Sequence, residues 1–317
     1  MAILRQSPYF SIITPSYNRA NFLYKTINSV INQTFQDWEY IIVDDASTDN
    51  SFEIINSFHD ERIIYIKNEI NIERCDSRNK GIDIAKGKYI CFLDSDDEYL
   101  DNHLEVLHKY IREHEEKIAL FYTSSMQEIN GGEVHKREKL HFDEAHKFEY
   151  IMSYTFNPTS VAIHRNILNE YKFDALLYCL EDMDLCLRIA IKYPIIQIPE
   201  YTILIHFHEG TFTLGDYERF SKELRNFKYI FKKKELRNVL PVRERKMLLS
   251  KTHYKLALRY EQEKNYLKMY NSIVKSFILY PAGYNKNTNK PMLIMFLYHI
   301  PIIGSIIKNS LRLIKYY

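Results

Sequence analysis

The most informative part of the chain is Lys88-Tyr89-Ile90-Cys91-Phe92-Leu93-Asp94-Ser95-Asp96-Asp97. Its first six residues form an apolar run that favours β-structure, which is typical of a buried strand. Three carboxylates follow directly, and in open α/β sheets ligands bind outside the carboxyl ends of the strands. Because crowded carboxylates repel one another, we expect a positive group among them. A divalent cation held by carboxylate and phosphate oxygens fits this pattern, whereas the alternative is an acidic turn without further function.

Strands and helices alternate around this stretch over the first 125 residues. The strands are predicted at Tyr9–Thr14, Glu39–Val43, Arg62–Lys67, Lys88–Leu93 and Ile118–Thr123, and the helices at Asn21–Gln33, Thr48–Phe58, Glu73–Ala85 and Asn102–His114. Repeated βα units of this length predict an α/β fold with a doubly wound, mostly parallel sheet flanked by helices. After it, strands at Thr159–His164 and Tyr201–Phe207 are predicted to enclose a helix at Glu181–Tyr193.

The distribution of charge divides the chain into two unlike parts. The 317 residues, 46% of them hydrophobic, are enough for one large domain and a smaller one. Residues 218–317 contain 22 Lys and Arg against 6 Asp and Glu, a net charge of +16, so the rest carries −14 of the total +2. This asymmetry predicts an acidic catalytic body and a basic tail that meets a polyanion, either nucleic acid or an anionic membrane surface.

We predict a catalytic domain at 1–215 and a wholly helical, basic tail at 216–317, which includes an α-hairpin that ends near Pro281. The tail contains Pro291–Ile307, a segment without Asp, Glu, Lys or Arg that is at the short limit for spanning a bilayer. An interfacial membrane helix or a re-entrant hairpin fits this segment, and the alternative is an ordinary core helix. Since Met1 to Pro8 does not resemble a signal peptide, we predict a cytoplasmic protein bound peripherally to the inner face of the membrane.

Two other kinds of site are disfavoured by residue spacing. The four cysteines, Cys75, Cys91, Cys179 and Cys186, form no CxxC pair, so they are predicted to be reduced thiols in the core. No G-x-G-x-x-G follows the first predicted strand, which argues against a dinucleotide-binding oxidoreductase.

Polar motifs lie after several of the predicted strands, and their order is informative. They read Pro15-Ser16-Tyr17-Asn18, Val43-Asp44-Asp45-Ala46-Ser47-Thr48-Asp49, Ser77-Arg78-Asn79, Phe92-Leu93-Asp94-Ser95-Asp96-Asp97 and Glu181-Asp182. With these motifs in this order, residues 9 to about 215 closely resemble the inverting nucleotide-sugar glycosyltransferases of family 2, which have the GT-A fold. The sequence departs from the family pattern at Asn71-Ile72-Glu73, where Asn-x-Gly is common, and at Ser77, where Ala is common.

The resemblance implies that Pro15, Tyr17, Asp45, Arg78 and Asp94 bind the sugar donor. The Tyr17 ring can stack on a nucleobase, and Asp45 can accept a hydrogen bond from a uracil N–H. The alternative for Asp45 is to cap the helix that follows. The planar guanidinium of Arg78 suits a diphosphate, and its alternative is a salt bridge to nearby acids.

For the metal, the resemblance implies Asp96, with Asp94 directed at the metal or the donor ribose and His208 closing over the site. The ion would be Mn²⁺ or Mg²⁺, which would stabilise the charge that develops on the leaving diphosphate. Asp97 is expected to hold the loop. His206 is a weaker candidate ligand, since strand alternation places it on the same face as His208.

The late Glu181-Asp182 pair implies a general base. Asp182 would take the proton of the acceptor hydroxyl, and with an ordinary carboxyl pKa of about 3.9 it would already be ionised at neutral pH. Glu181 would cap the helix or bind the acceptor. The alternative for the pair is compensation of the helix dipole.

Together these features predict a metal-dependent inverting enzyme that moves a hexose or N-acetylhexosamine from a UDP-sugar to a hydroxyl of a glycan acceptor. The layout resembles bacterial enzymes that build surface polysaccharide or glycoprotein glycans on polyprenyl-diphosphate carriers. Partners would then be the UDP-sugar, the glycan acceptor and an anionic membrane surface, without nucleic acid. The alternative is an inactive sugar- or nucleic-acid-binding protein on the same scaffold.

Overall fold

The computed structural model describes residues 7–138, 141–153, 156–208 and 218–280. The chain divides into two compact units, Met1–Gly215 and Asp216–Tyr317, and each is described by itself.

Nine strands are described in the first unit. They are β1 (Phe10–Ser16), β2 (Trp38–Asp44), β3 (Ile63–Lys67), β4 (Tyr89–Phe92), β5 (Glu98–Tyr99), β6 (Leu120–Ile129), β7 (Val134–Lys136), β8 (Val161–His164) and β9 (Ile195–Phe207).

Helices separate most of these strands. They are α1 (Ala20–Ile31), α2 (Ser51–Asn56), α3 (Glu73–Ile84), α4 (His103–Glu113), α5 (Lys147–Ser153), α6 (Arg165–Glu170) and α7 (Glu181–Ala190), with short 3-10 turns at Glu144–His146 and Pro158–Ser160.

The sheet has the order β3-β2-β1-β4-β8-β6-β9-β5, with β7 paired to β6. The first four strands along the chain are parallel, as the alternating βα units predict. Beyond β4 the sheet is mixed, because β8 runs antiparallel to both of its neighbours, and β5 is antiparallel to β9. The α/β fold class is confirmed, with parallel pairing among the first four strands and between β6 and β9.

The largest difference from the predicted strands is the pairing of β6 with β9. Both are longer than the sequence indicated, and they run parallel from Leu120 and Ile195 to Ile129 and Phe207, with register shifts near Ser124. Both strands continue beyond the predicted apolar runs. Pairing between β6 and β9 provides backbone hydrogen bonds for the added residues. Because β5 runs antiparallel to β9, the end of β9 and His208 lie beside Asp96 and Asp97, between β4 and β5.

Helices pack on both faces of the parallel part, because side chains alternate along a strand. Phe10 and Ile12 of β1 belong to one buried cluster with residues of α1 and α4. The side chain of Ile13 points to the opposite face of the sheet and packs against α3 at Gly81. A Cβ added at Gly81 would lie 2.5 Å from Ile13 Cγ2. This close approach fixes α3 against β1 and so fixes the residues at its first turn. The four cysteines are buried and free.

The second unit is described over residues 218–280 and is helical there, as predicted. It contains α8 (Glu218–Ile230), α9 (Lys234–Arg237), α10 (Val242–Gln262) and α11 (Tyr266–Leu279), and the last two form the predicted hairpin around Ala257, Met269 and Ile273. Among the described residues, no helix is both long and apolar enough to cross a membrane. The predicted interfacial segment Pro291–Ile307 lies outside the described residues.

Candidate active site

The carboxyl ends of three parallel strands bring the predicted donor residues to one edge. Ser16 is in register with Asp44, Pro15 with Val43, and Ile13 with Phe92. The motifs that follow β1, β2 and β4 therefore emerge side by side, which is the position where ligands bind in this class of sheet.

Hydrogen bonds between the first two of these loops hold them together. The backbone N–H of Asn18 donates to Ser47 Oγ (2.9 Å), and the N–H of Thr48 donates to Asn18 Oδ1 (2.9 Å). Asn18 adopts a left-handed conformation (φ 51°), which Asn tolerates better than most residues. Tyr17 is 46% exposed, as a ring that stacks on a ligand must be.

Asp44 and Asp45 have different partners. Asp44 is fully buried and accepts hydrogen bonds from the Ser47 N–H (2.8 Å) and the Tyr65 hydroxyl (2.7 Å), so it holds the loop. Asp45 Oδ1 accepts from Asn68 Nδ2 (2.8 Å) and from the Ile72 N–H (2.9 Å). Its Oδ2 accepts no hydrogen bond from the described residues, although the residue is buried.

The helix-capping alternative for Asp45 is not observed. α2 begins at Ser51, and Asp49 accepts a hydrogen bond from the Ser51 N–H at 3.1 Å. The sequence placed the start of this helix at Thr48, three residues too early.

Arg78 is buried, with 2% of its surface exposed, and joins two acidic residues from distant parts of the chain. One amino group lies 2.6 Å from Asp94 Oδ1 and the other 3.2 Å from Glu181 Oε1. Burial alone would lower the pKa of Arg78, but Asp94 and Glu181 raise it above its usual range. The salt-bridge alternative for Arg78 is thus the one observed. Its Nε–H is buried without a described partner, and a contact with the donor diphosphate stays a prediction.

Glu181 receives a second arginine, which the sequence analysis did not single out. Arg74 Nε lies 2.6 Å from Glu181 Oε1, and its amino group also donates to the Tyr178 carbonyl at 2.5 Å. Burial would raise the pKa of Glu181, but Arg74 and Arg78 lower it below its ordinary value. Arg74 and Arg78 are four residues apart on a helix, a spacing that places them on one face and was a usable signal.

Two arginines contact the acidic tetrad after β4: the buried Arg78 contacts Asp94, and the partly exposed Arg19 has its Nε 3.8 Å from Asp96 Oδ2. Burial raises the pKa of Asp96, and the neighbouring carboxylate of Asp94 raises it further. Burial also raises the pKa of Asp97 well above the usual range. Asp97 accepts from Thr159 Oγ1 (3.1 Å) and the His206 N–H (3.2 Å), so it holds the loop, as expected.

The two histidines have different surroundings. His208 Nε2 lies 3.2 Å from Asp96 Oδ2, and its ring stacks on Phe22 with 4.3 Å between the centroids. His206 contacts Glu98 at 2.7 Å and also Glu128. Hydrogen bonds that the His206 ring donates to the Glu98 and Glu128 carboxylates raise the pKa of His206 in spite of partial burial. The structure therefore brings the ring of His208 to Asp96, whereas His206 contacts the tetrad through its backbone N–H and its ring contacts Glu98 and Glu128.

Asp182 is half-buried on the first turn of α7, and its Oδ1 accepts from the Met183 N–H at 2.7 Å. Its Oδ2 accepts no hydrogen bond from the described residues. Burial raises the pKa of Asp182 to about 7, with a further increase from Glu181. The expectation that this carboxyl is already ionised at neutral pH was therefore wrong, because it lies in a desolvated position beside another acid.

The candidate metal ligands near the acidic tetrad partly fit a divalent ion. Mg²⁺ and Mn²⁺ are bound by one or two carboxylates together with substrate phosphates, and Asp96 with Asp94 would supply these oxygens while His208 adds a nitrogen. Within the described ranges, however, no group of three or more His, Cys, Asp or Glu side chains is arranged to hold a metal ion. A phosphate-bearing ligand would have to complete the coordination.

Comparison with known proteins agrees with this fold and these motifs. Residues 11–175 match the family described as Glycosyl transferase family 2. An uncharacterized glycosyltransferase, MJ1057, from Methanocaldococcus jannaschii is 36% identical over 203 residues, which cover 62% of this chain and 70% of that protein. The chain belongs to glycosyltransferase family 2, and it is a nucleotide-sugar glycosyltransferase.

Two further proteins resemble parts or most of the chain. The UDP-Glc:alpha-D-GlcNAc-diphosphoundecaprenol beta-1,3-glucosyltransferase WfaP of Escherichia coli is 48% identical over 87 residues, which cover 27% of this chain and 35% of WfaP. The crystal structure of S. aureus TarS 1-349 with UDP-GlcNAc superposes with a TM-score of 0.63 at 19% identity, over 86% of this chain and 82% of that one. The latter confirms the GT-A-like fold. None of these proteins supports the inactive binding protein as an alternative.

Proposed function

We propose that the enzyme transfers a hexose or N-acetylhexosamine from a UDP-sugar to a hydroxyl of a glycan acceptor, with inversion and with Mn²⁺ or Mg²⁺. The observation that supports this most is the Asp94–Arg78–Glu181 bridge, which brings the segment of the proposed base to the end of β4. A donor held at Asp45 and the acidic tetrad would then present its anomeric carbon near Asp182.

The chain's own residues suit this reaction. Tyr17 and Asp45 Oδ2 would bind the nucleobase, and Pro15 would shape the edge of β1 beside it. Asp182 Oδ2 would accept the proton of the acceptor hydroxyl as its oxygen bonds to the anomeric carbon and the bond from that carbon to the diphosphate breaks. Asp96, Asp94 and His208 would hold the metal ion, which supplies charge compensation to the leaving diphosphate when bound.

The acceptor is proposed to be a lipid-linked glycan of bacterial surface polysaccharide or glycoprotein assembly. WfaP, by its name, uses UDP-Glc and a diphosphoundecaprenol-linked sugar. The basic tail of 216–317 would bind an anionic membrane surface from the cytoplasmic side, where such an acceptor is concentrated. Sedimentation with anionic vesicles at low and high salt tests this part, since electrostatic attachment weakens as salt screens it.

The central experiment measures UDP release from UDP-glucose, UDP-GlcNAc and related donors with Mn²⁺ and a membrane glycolipid extract. Asp182→Asn should lower kcat by about 10²–10⁴-fold, because a general base contributes that much. Asp96→Asn should abolish stimulation by Mn²⁺. As a control, Asp60→Asn alters an aspartate paired with Arg62 before β3, at the opposite edge of the sheet, and should retain native release. Native activity in both site variants would overturn the proposed mechanism.

A further inference from the structure

Arg74 connects the first turn of α3 to the segment that leads into α7. Its side chain contacts the Tyr178 carbonyl on one side of Leu180 and the Glu181 carboxylate on the other. The neighbouring Cys75 adds a contact from Sγ to the Leu177 carbonyl at 3.8 Å. One helical turn therefore holds the chain immediately before the proposed base.

The held segment contains backbone strain. Leu180 has a φ of 66°, a left-handed conformation that is unfavourable for a non-glycine residue. Such conformations persist where the surroundings over-determine them, and they concentrate at functional sites. Because Arg74 binds on both sides of Leu180, it sets the direction in which α7 begins and in which Asp182, two residues later, is presented.

The same turn of α3 is bonded to the nucleobase end of the site. The Ile72 N–H donates to Asp45 Oδ1, and Asn68, which also donates to Asp45, contacts Ser77 Oγ at 3.2 Å. Glu73, next to Arg74, is left-handed as well (φ 70°). The loop that meets Asp45 and the arginine that meets Glu181 are thus consecutive parts of one hydrogen-bonded structure.

We propose that Arg74 is a positioning residue for sugar transfer, which acts through Glu181 and the Tyr178 carbonyl to place Asp182 and links this placement to the donor contact at Asp45. The inference rests on the proposed function, since Asp182 must be the base. Arg74 itself touches no reacting atom in this scheme. It differs from Arg78, which spans to Asp94 and so belongs to the donor side as well.

The test compares Arg74→Met, Arg74→Lys and the native enzyme by steady-state kinetics with the UDP-sugar that the native enzyme turns over. Arg74→Met is expected to lower kcat on the order of 10–100-fold, the effect of a misplaced catalytic group, while the donor KM changes by less than about 2-fold. Arg62→Met is the matched control. Arg62 is 27% exposed and pairs with Asp60, and Arg74 is 31% exposed and pairs with Glu181. The control should stay within about 2-fold of native kcat.

The pH profile separates positioning from a merely structural role. Four titratable or charged groups interact electrostatically with the Asp182 carboxyl. They are Arg74 and Arg78 of α3 and Glu181 and Cys186 of α7. Without the Arg74 charge, the negative charge of Glu181 raises the pKa of Asp182 further. In Arg74→Met, the acid limb of the kcat/KM profile should therefore move to higher pH, and part of the lost activity should return at pH values above that limb. Arg74→Lys keeps the charge but not the forked contact, and should keep the native limb with a smaller loss of kcat.

The outcomes are distinct. If the native enzyme transfers sugar and loses activity in Asp182→Asn, but both Arg74 variants match Arg62→Met in kcat and in pH profile, the role of Arg74 is overturned while the proposed function stands. If the native enzyme transfers sugar but Asp182→Asn is fully active, the assignment of Asp182 as the base fails, and the role of Arg74 fails with it. If the native enzyme transfers no sugar from any UDP-sugar, the proposed function fails. If Arg74→Met does not fold, Arg74→Lys decides, because native kcat in that variant contradicts positioning by the forked contact.

Discussion

Two acidic clusters lie in this site, and they are neutralised in different ways. Glu181 is buried between Arg74 and Arg78, which lower its pKa below the ordinary value against the effect of burial. In the tetrad after β4, burial and mutual repulsion raise the pKa values of Asp96 and Asp97. Two arginines hold Glu181 ionised, whereas Arg78 at Asp94 and Arg19 at 3.8 Å from Asp96 leave the pKa of Asp96 raised. Under the proposed function, a metal ion would supply the charge that the tetrad still lacks.

The largest expected effect comes from removing a built-in cation. Arg78→Met would leave Glu181 and Asp94 without a buried partner, and breaking such a pair destabilises a protein by about 3–5 kcal/mol. Urea unfolding at pH 7 measures this. Arg112→Met removes an exposed pair with Glu116 and should leave the stability close to that of the native protein.

The pH dependence of that effect has a definite sign. Since the folded-state pKa of Glu181 is lowered, its contribution to stability is present above its unfolded pKa and is lost as the pH falls through the folded value. The deficit of Arg78→Met should therefore shrink in acid. An equal deficit at pH 7 and at pH 3 would contradict the assigned role of Arg78.

The second cluster is tested by adding a cation. At pH 7–8, Mn²⁺ at about 100 times its Kd, with UDP, should stabilise the protein by about 2.7 kcal/mol, measured as a rise in Tm. Because the folded-state pKa of Asp96 is raised, the stability it contributes is present below its unfolded pKa and is lost as the pH rises through the folded one. Protons therefore compete with the metal, and the Mn²⁺ effect should fade toward pH 4.

Asp96→Asn sharpens this test. The variant should lose the response to Mn²⁺ and, without metal, be at least as stable as the native protein at pH 8, because it removes a buried like charge. Asp60→Asn should keep the full response to Mn²⁺. An undiminished Mn²⁺ response in Asp96→Asn would show that the ion binds elsewhere.

The smallest expected effect comes from substituting Glu73, which is next to Arg74. This substitution leaves the charged residues of both acidic clusters unchanged. Glu73 is exposed and left-handed (φ 70°), and it stands where the family often has glycine. Glycine removes the strain but adds entropy to the unfolded chain, so Glu73→Gly should change unfolding stability by no more than about 1 kcal/mol. Glu73→Val, with a β-branched side chain, should be the less stable of the two by urea unfolding.

The sequence predicted the part of the site that depends on strand ends. Asp45 and Asp94 follow parallel strands, so their proximity follows from the geometry of βα units. The Arg78–Glu181 pair could not be found in this way, because its residues are 103 positions apart and meet only through tertiary packing. Thr159, which bonds Asp97, gave no signal for the same reason.

Errors in the sequence interpretation also have physical causes. The predicted end of β6 was too early and the predicted start of β9 was too late. Each missed portion is stabilised by pairing with the predicted part of the other strand, which residue order does not reveal. The pKa of Asp182 depends on burial and on Glu181, and neither the extent of burial nor the distance to Arg74 follows from residue order.

The first turn of α3 has a consequence for the evolution of donor specificity. It is bonded to Asp45 at one end of the site and to Glu181 at the other. A substitution that adapts the Asp45 region to another nucleotide would shift the backbone at Ile72 and so displace Arg74. Changes of nucleotide preference in this lineage should therefore be epistatic with residues 178–182, and laboratory selection for a new donor should recover mutations in both segments together.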